Sequence, residues 1–400
     1  MTRKKNLPCC TTLRTLVIAA LLVLAAGAAF PIDPDSDSIR GLAATPIDEV
    51  IPVLERIEFS ERLAHVYVLA VIAAREADTA RARRLFVYGR ETADKNGDSA
   101  SSGEFSYSLG VLDHEAGRFD DAVLSFHDAS HAFDDAGLQA SAVRALLVVG
   151  NIHHRTGRLK AAIDVLDQVI AREAEIVDRL VFAEALSESA MVRYKYGELA
   201  DVPSLLDRAL PIYVENDHLD GVGTVHRIRG NYYAALGDAD AALEQYLVSR
   251  ESYRETGNAH DFANTSFNIA LMHANRGDLT EAVDFFENAL ENFALAGSLT
   301  GAGMAGTELA RVLHRMGRLD EAERFVRQAI EHLRAGSSNR RLAQAYVVLG
   351  EIGERRGRPG EAISAYRQAV TIYREIELDA HALPVMRTLE RLEHASGGGT

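Results

Sequence analysis

The sequence predicts an all-α solenoid of about eight helix-turn-helix repeats, and three observations carry that reading. The first is a glycine that returns every 40 residues, at Gly117, Gly157, Gly197, Gly237, Gly277, Gly317 and Gly357, with no insertion or deletion between copies. The second is a stripe before it. Five residues upstream the chain is apolar in every copy (Ile72, Leu112, Ile152, Val192, Tyr232, Met272, Val312, Ile352), and seven upstream it is only glycine or alanine (Ala70, Gly110, Gly150, Ala190, Gly230, Ala270, Ala310, Gly350). That spacing is one face of a helix, helix A, whose smallest column marks a close approach. The third lies after the glycine, where Ala82, Ala122, Ala162, Ala242, Ala282, Ala322 and Ala362 precede a large residue by four: Phe86, Phe126, Leu166, Tyr246, Phe286, Val326 and Tyr366. Such i, i+4 pairs define helix B, with its alanine expected to face the small column of helix A.

Composition agrees with this architecture. A chain of 400 residues could form several compact domains, but a fixed period over most of its length points to one array in which each repeat touches its neighbours. The hydrophobic fraction of 47% supports a continuous core, and nine prolines with no tryptophan suit helix better than sheet.

The elements follow in order. Residues 1–28 read as a secretory signal peptide: "MTRKK" and Arg14 supply a basic start, "LVIAALLVLAA" an apolar run too short to span a membrane comfortably, and "GAAF" small residues for cleavage after Ala28 or Ala29. An uncleaved N-terminal anchor is the alternative, since Pro31 follows the cleavage site closely; both readings export the repeats to the periplasm or the extracellular space. Once cleaved, the chain has no segment for membrane insertion. Cys9 and Cys10 leave with the signal, so the exported part has no disulfide and no thiolate chemistry. Residues 29–44, with "DPDSDS", read as a linker, and 45–62 as a leading helix with Thr45 as its cap and Pro46 at its first position. The eight repeats occupy 63–380. The first hides its phase because Ala77 replaces the glycine, while Ala70, Ala82 and Phe86 stay in register. Repeat four should be a soft joint, for Val202 replaces the helix-B alanine and Pro203 and Pro211 fall inside helix B. In repeat six, Asp278 and Glu281 are placed for an acidic capping box. Residues 381–400 read as a capping helix, around Val385 to Glu393, and a disordered tail.

From residue 63 to about 380 the small residue of helix A, the turn glycine, the helix-B alanine and the aromatic after it resemble the tetratricopeptide-repeat family, in a 40-residue form. The resemblance implies a right-handed superhelix with helix A lining the concave side. The family's early tryptophan and closing proline are missing. HEAT or armadillo repeats have a similar period but lack this glycine and alanine register.

No residue is assigned a catalytic role. His127 and His131 stand four apart on one helix, as metal ligands can, but the matching columns elsewhere hold Asp167, Asp207, Glu287 and Arg327, and Glu91, Glu251, Glu291 and Glu331, which is a solvated face. His153 and His154 begin no triad, and no glycine-rich phosphate loop follows a strand. The expectation is therefore no metal, no cofactor and no enzyme. Without residues 1–28 the chain keeps 39 basic against 58 acidic residues, a formal charge of −19, which disfavours nucleic acid as a partner.

Binding has better support. Positions 13, 9, 6 and 2 before the turn glycine form a stripe on helix A opposite its packing stripe, and in mid-array it is polar: Arg144, Asn151, Arg155, Lys195, Asn231, Asn264 and Asn268, with His154, Tyr194 and Arg227 alongside. Asparagine donates to and accepts from a peptide backbone and forms helix poorly, so its recurrence here suggests a groove for a protein or peptide. The basic column two before the glycine has a plainer explanation, complementing the negative end of helix A. Some members of the resembled family grip a C-terminal carboxylate with a basic residue and two asparagines; Arg227, Asn231 and Asn268 match those positions, whereas Met304 and Glu308 depart from them, with Arg311 one turn along as a substitute. The resulting expectation is an exported, non-catalytic scaffold binding protein or peptide partners through helix A, the alternative being a sensory ectodomain whose effector lies on another chain.

Overall fold

The 40-residue period resolves into two nearly equal halves of 20, each a helix of mostly 17 or 18 residues closed by a left-handed turn. The computed structural model describes residues 37–397, so the predicted signal peptide lies outside the described residues. Two helices, α1 (Asp37–Ala44) and α2 (Ile47–Leu54), precede the repeats. The A and B helices then alternate: α3 (Phe59–Arg75) and α4 (Thr79–Lys95), α5 (Ser99–Glu115) and α6 (Phe119–Asp135), α7 (Gln139–Arg155) and α8 (Leu159–Ala171), α9 (Arg179–Tyr196) and α10 (Val202–Glu215). They continue as α11 (Leu219–Ala235) and α12 (Ala239–Thr256), α13 (Ala259–Arg276) and α14 (Leu279–Leu295), α15 (Leu299–Met316) and α16 (Leu319–Ala335), α17 (Asn339–Arg355) and α18 (Pro359–Glu375), with α19 (Asp379–Gly397) last. No strand occurs among the described residues. The chain forms two compact bodies, one ending at Asn216 and the other beginning at Asp217.

The turns explain the period. Gly117 has φ of 73°, and the residue after it closes the helix by donating from Arg118 N to Asp113 O at 2.9 Å, a Schellman-type bond. The same left-handed step recurs at a glycine halfway through four of the repeats, at Gly97, Gly137, Gly257 and Gly297. Where glycine is absent, a side chain is forced into that region: Ala77 (φ 65°), Asp217 (50°), Ser337 (53°) and Glu377 (56°). A left-handed L-residue costs about 1–2 kcal/mol, part of which glycine returns through its looser unfolded chain. Ala77→Gly, Ser337→Gly and Glu377→Gly are each expected to stabilise by roughly 0.5–1 kcal/mol. Urea melting of the single and triple variants checks this, and a destabilised triple variant contradicts it.

The small column of helix A takes the large residue of helix B, not its alanine as the sequence suggests. A Cβ added to Gly230 would stand 2.5 Å from the Tyr246 ring, and one added to Gly350 would stand 2.6 Å from Tyr366. The long side chain of helix B reaches across to fill the space the missing Cβ leaves, so the alanine faces the residue one turn further along, as Ala362 faces Gly353. Successive A helices also touch, α7 with α9, and α13 with α15 and α15 with α17, whereas no B helix approaches another B helix as closely among the described residues. Within each body, then, the A helices line the inner side of the stack.

Several boundaries differ from the sequence reading. Part of the expected linker is α1, whose Ile39 is buried in a cluster with Val50, Leu54 and Leu63, so apolar burial overrides the polar composition before it. The expected leading helix over 45–62 is shorter, ending at Leu54, and helix A of the first repeat starts at Phe59 rather than Leu63. Asp278 stands at the N-cap of α14 but makes no side-chain cap bond; its Oδ2 lies 3.4 Å from His273 Nδ1 instead. Asp78, Asp98 and Asp238 do cap, accepting from Arg81, Ser101 and Ala241 N–H at 3.0–3.1 Å. In repeat four, Pro211 leaves α10 continuous, and Val202, Leu205, Leu206 and Ala209 are buried. The larger irregularity lies one connection earlier. Helix α8 ends at Ala171, a 3₁₀ turn covers Glu173–Glu175, and Val177 stands at the mid-repeat position that is glycine in four other repeats. Arg172 fastens this connection, bonding Asp134 Oδ2 at 3.0 Å and Glu175 Oε2 at 2.7 Å.

Candidate partner-binding face

The polar stripe sits on the inner, A-helix side in both bodies, and the two bodies use it differently. In the first, α7 and α9 carry Arg144, Asn151, His154, Arg155, Tyr194 and Lys195. His154, Arg155 and Lys195 hold repeats together. Arg155 Nη1 donates to His114 Nε2 at 3.2 Å, and Lys195 Nζ donates to His154 Nε2 at 2.7 Å, each reaching from one repeat to the end of helix A in the repeat before. His154 Nδ1 in turn meets the Glu188 carboxylate, so the tautomer protonated at Nδ1 satisfies both partners. The second body repeats the device with backbone acceptors: Arg315 Nη1 donates to Ala274 O at 2.9 Å, and Arg355 Nη1 donates to His314 O. The basic column thus staples adjacent repeats at the negative end of helix A, which refines the plainer explanation above. Burial and the neighbouring Arg155 push the His114 imidazole down, so it stays a neutral acceptor. Arg144 is exposed, 3.9 Å from Asp178; Asn151 and Tyr194 are half-buried.

In the second body the stripe becomes an amide cluster. Asn231 on α11 and Asn268 on α13 meet directly, Asn268 Nδ2 donating to Asn231 Oδ1 at 3.2 Å, while Tyr246 OH donates to the same oxygen at 2.8 Å. Asn264 Nδ2 donates to Asp261 Oδ1 at 3.4 Å. Arg227 is half-buried; burial pulls its guanidinium down, but Tyr253 and Asp261 more than offset this and hold it above its ordinary value. Its Nε has no hydrogen-bond partner. On α15, Arg311 Nε donates to Glu308 Oε2 at 3.2 Å, so the residue the sequence offers to complete a carboxylate clamp is neutralised by its own neighbour.

Sequence reasoning passed over a second cluster on the inner side of the first body. Tyr67 OH lies 3.5 Å from Ser108 Oγ, which donates to Glu104 O at 2.9 Å. Burial, helped by Asp98, pushes the Glu104 carboxyl up to about 7, and burial pushes the Tyr67 hydroxyl up to about 12. Glu104 stands in the same column as Arg144 and Asn264, 13 residues before its glycine, so a reading of every repeat along that column would have found it.

Two other features lie apart from this face. His127 and His131 sit on α6, and no group of three or more histidines, cysteines or acids among the described residues is arranged to hold a metal. No helix among the described residues is long and apolar enough to cross a membrane.

Comparison with known proteins gives the fold a family context. A family model described as a MalT-like TPR region matches residues 212–394, and one described as a tetratricopeptide repeat matches 107–175. No curated protein sequence matches the chain. Among solved structures, the apo form of the quorum sensor NprR from B. thuringiensis is similar over 90% of this chain and 97% of its own, with a TM-score of 0.57 and 12% identity. The apo form of RapI is similar over 69% and 99%, with a TM-score of 0.54 and 11% identity. A signal-transduction ATPase with a tetratricopeptide-repeat sensor from Pyrococcus horikoshii is similar over 98% and 68%, with a TM-score of 0.50 and 12% identity. At such identities the likeness is one of fold.

Proposed function

This chain belongs to the tetratricopeptide-repeat family, and on that premise we propose that it is an exported, non-catalytic scaffold that binds a protein or peptide along its A helices. The observation that carries the proposal is the amide pair. Asn231 and Asn268 come from successive A helices, and Asn231 Oδ1 accepts from both Asn268 Nδ2 and Tyr246 OH, which holds the remaining amide groups side by side before any ligand arrives. Amides held in this way match the alternating donors and acceptors of an extended peptide backbone, and their ordering entropy is already spent within the fold. Arg144, Asn151 and Tyr194 extend the same kind of surface in the first body, while His154, Arg155 and Lys195 serve it by fixing the spacing of the repeats.

A backbone-gripping groove fits better than a clamp on a terminal carboxylate, because Glu308 neutralises Arg311. Export rests on the basic, apolar and small-residue pattern of residues 1–28, and mass spectrometry of the exported protein should find a mature start near Ala29 or Phe30. Asn231→Ala with Asn268→Ala is expected to weaken partner capture by roughly 30-fold, from about 1 kcal/mol per lost amide contact, with helicity unchanged. Capture at wild-type strength would move the site off the A helices. Amidating the C-terminus of a bound peptide should leave its affinity unaltered; a large loss would restore the clamp.

A further inference from the structure

The repeats contain the same three-residue constellation twice, closed in one place and open in the other. In the second body, Arg250 on α12, Ser266 on α13 and Asn288 on α14 form a closed triangle: Arg250 Nε donates to Ser266 Oγ at 3.0 Å, Ser266 Oγ donates to Asn288 Oδ1 at 3.0 Å, and Arg250 Nη2 reaches the same oxygen at 3.3 Å. The guanidinium is held there between two rings, its carbon 4.4 Å from the centre of Phe262 and 5.5 Å from that of Phe285. Four repeats earlier, at the same register, stand Arg90 on α4, Ser106 on α5 and Asp128 on α6. The rings, however, are replaced by Ser102 and Ser125.

Without rings to sit between, Arg90 makes only an outer contact, Nη1 to Asp128 Oδ2 at 3.4 Å. Ser106 is 1% exposed and its Oγ has no hydrogen-bond partner. A buried hydroxyl left unbonded is costly, and its twin in the second body is bonded twice. The space between is a cleft of about 460 Å³ that Ser102, Ser106 and Arg90 line. Its walls are also more acidic than the closed copy. Asp94, Asp98, Asp128 and Asp135 line it where the second body has Arg254, Asn258, Asn288 and Leu295. Asp94 Oδ1 accepts from Ser102 Oγ at 2.5 Å, which places a carboxylate at the serine floor.

We infer that this cleft is a second binding site, between α4, α5 and α6 of the first body, and that it takes a guanidinium group from outside the chain into the position Arg250 fills in the second body. The ligand's N–H groups bond Ser106 Oγ and the Asp128 carboxylate, and its charge answers the acids that the closed copy lacks. An arginine side chain on a partner protein and free arginine share this chemistry.

Titration calorimetry of the full chain with the tripeptide Gly-Arg-Gly, free arginine and Gly-Gln-Gly separates the cases. Saturable binding of a single guanidinium ligand is expected, with Gly-Gln-Gly silent, and a tenfold or greater loss for the double variant Asp94→Asn with Asp128→Asn. Both positions are exposed, so that variant should fold, as circular dichroism checks. Ser102→Phe with Ser125→Phe restores the rings and should let Arg90 close the cleft, abolishing binding. Gly-Arg-Gly binding at least tenfold tighter than free arginine assigns the site to a protein partner; equal affinity assigns it to the free amino acid. No saturable binding of either ligand, or binding unchanged in the double aspartate variant, overturns the inference. Asn231→Ala with Asn268→Ala should leave this binding intact, so the two sites fail or stand separately.

Discussion

Phe286→Ala is expected to cost about 3–5 kcal/mol, the range for emptying a buried aromatic site. Phe286 is fully buried opposite the small column at Ala270, and its ring meets Phe267 edge-on with centroids 5.4 Å apart, a geometry worth roughly 1 kcal/mol beyond burial. The surrounding helices are tied to neighbours on both sides and have little freedom to collapse into the void. The damage should also be local, because a repeat contacts chiefly the next one and the array need not unfold in a single step. Hydrogen exchange read helix by helix is therefore the right measurement. Amides of α13, α14 and α15 should exchange at least a hundredfold faster while those of α5 and α6 do not change. Uniform acceleration along the whole chain would mean the array unfolds as one cooperative unit. The control is Leu124→Ala, on the B helix of repeat two, where the side chain is 64% exposed and the change should stay within about 0.5 kcal/mol.

The second large effect is electrostatic. The Glu104 carboxyl is pushed up to about 7 in the folded chain from its ordinary value of 4.5, chiefly because burial disfavours its charge. A carboxyl with a raised folded pKa binds its proton more tightly in the native state, so its contribution to stability is fully present below the unfolded value and is lost as pH rises through about 7. At 1.36 kcal/mol per pH unit the loss is roughly 3 kcal/mol by pH 8.5. Several histidines act in the opposite direction. Burial pushes His114, His127, His153, His226 and His314 down, so the unfolded chain takes up their protons first and stability falls as pH drops below about 6.5. The wild-type profile is the sum of both, but Glu104→Gln isolates one of them. It should stabilise by roughly 3 kcal/mol at pH 8.5, with the difference shrinking towards zero at pH 4.5. A difference independent of pH would show that Glu104 is solvated in the folded state.

Much of the candidate site was readable in one dimension only. Asn231 and Asn268 stood out because asparagine is a poor helix former recurring at a fixed distance from the turn glycine, and the structure brings them into contact. Arg155 and Lys195 fell on the same stripe for a different reason. Their reach of 41 residues, one repeat plus one residue, carries them to the end of the previous A helix, and a stripe drawn on a single helix cannot show that. Glu104 went unnoticed because an acid in a polar column looks solvated until its burial is known.

The period, the helical hairpin and its left-handed turns were determined by the sequence alone. They rest on local physics, glycine's freedom at positive φ and the 3.6-residue stripe, and local physics needs no neighbour to be legible. The tertiary structure decided how side chains are shared between repeats. It showed that the large residue of helix B, rather than the alanine, fills the small column, since reach across an interface depends on side-chain direction and not on spacing. It also separated two copies of one constellation, Arg250 locked between two phenylalanines and Arg90 left at the edge of an open cleft. The sequence holds both copies in identical register. Which of them is closed depends on residues 12 and 35 positions away from the arginine, and only folding brings those to its side.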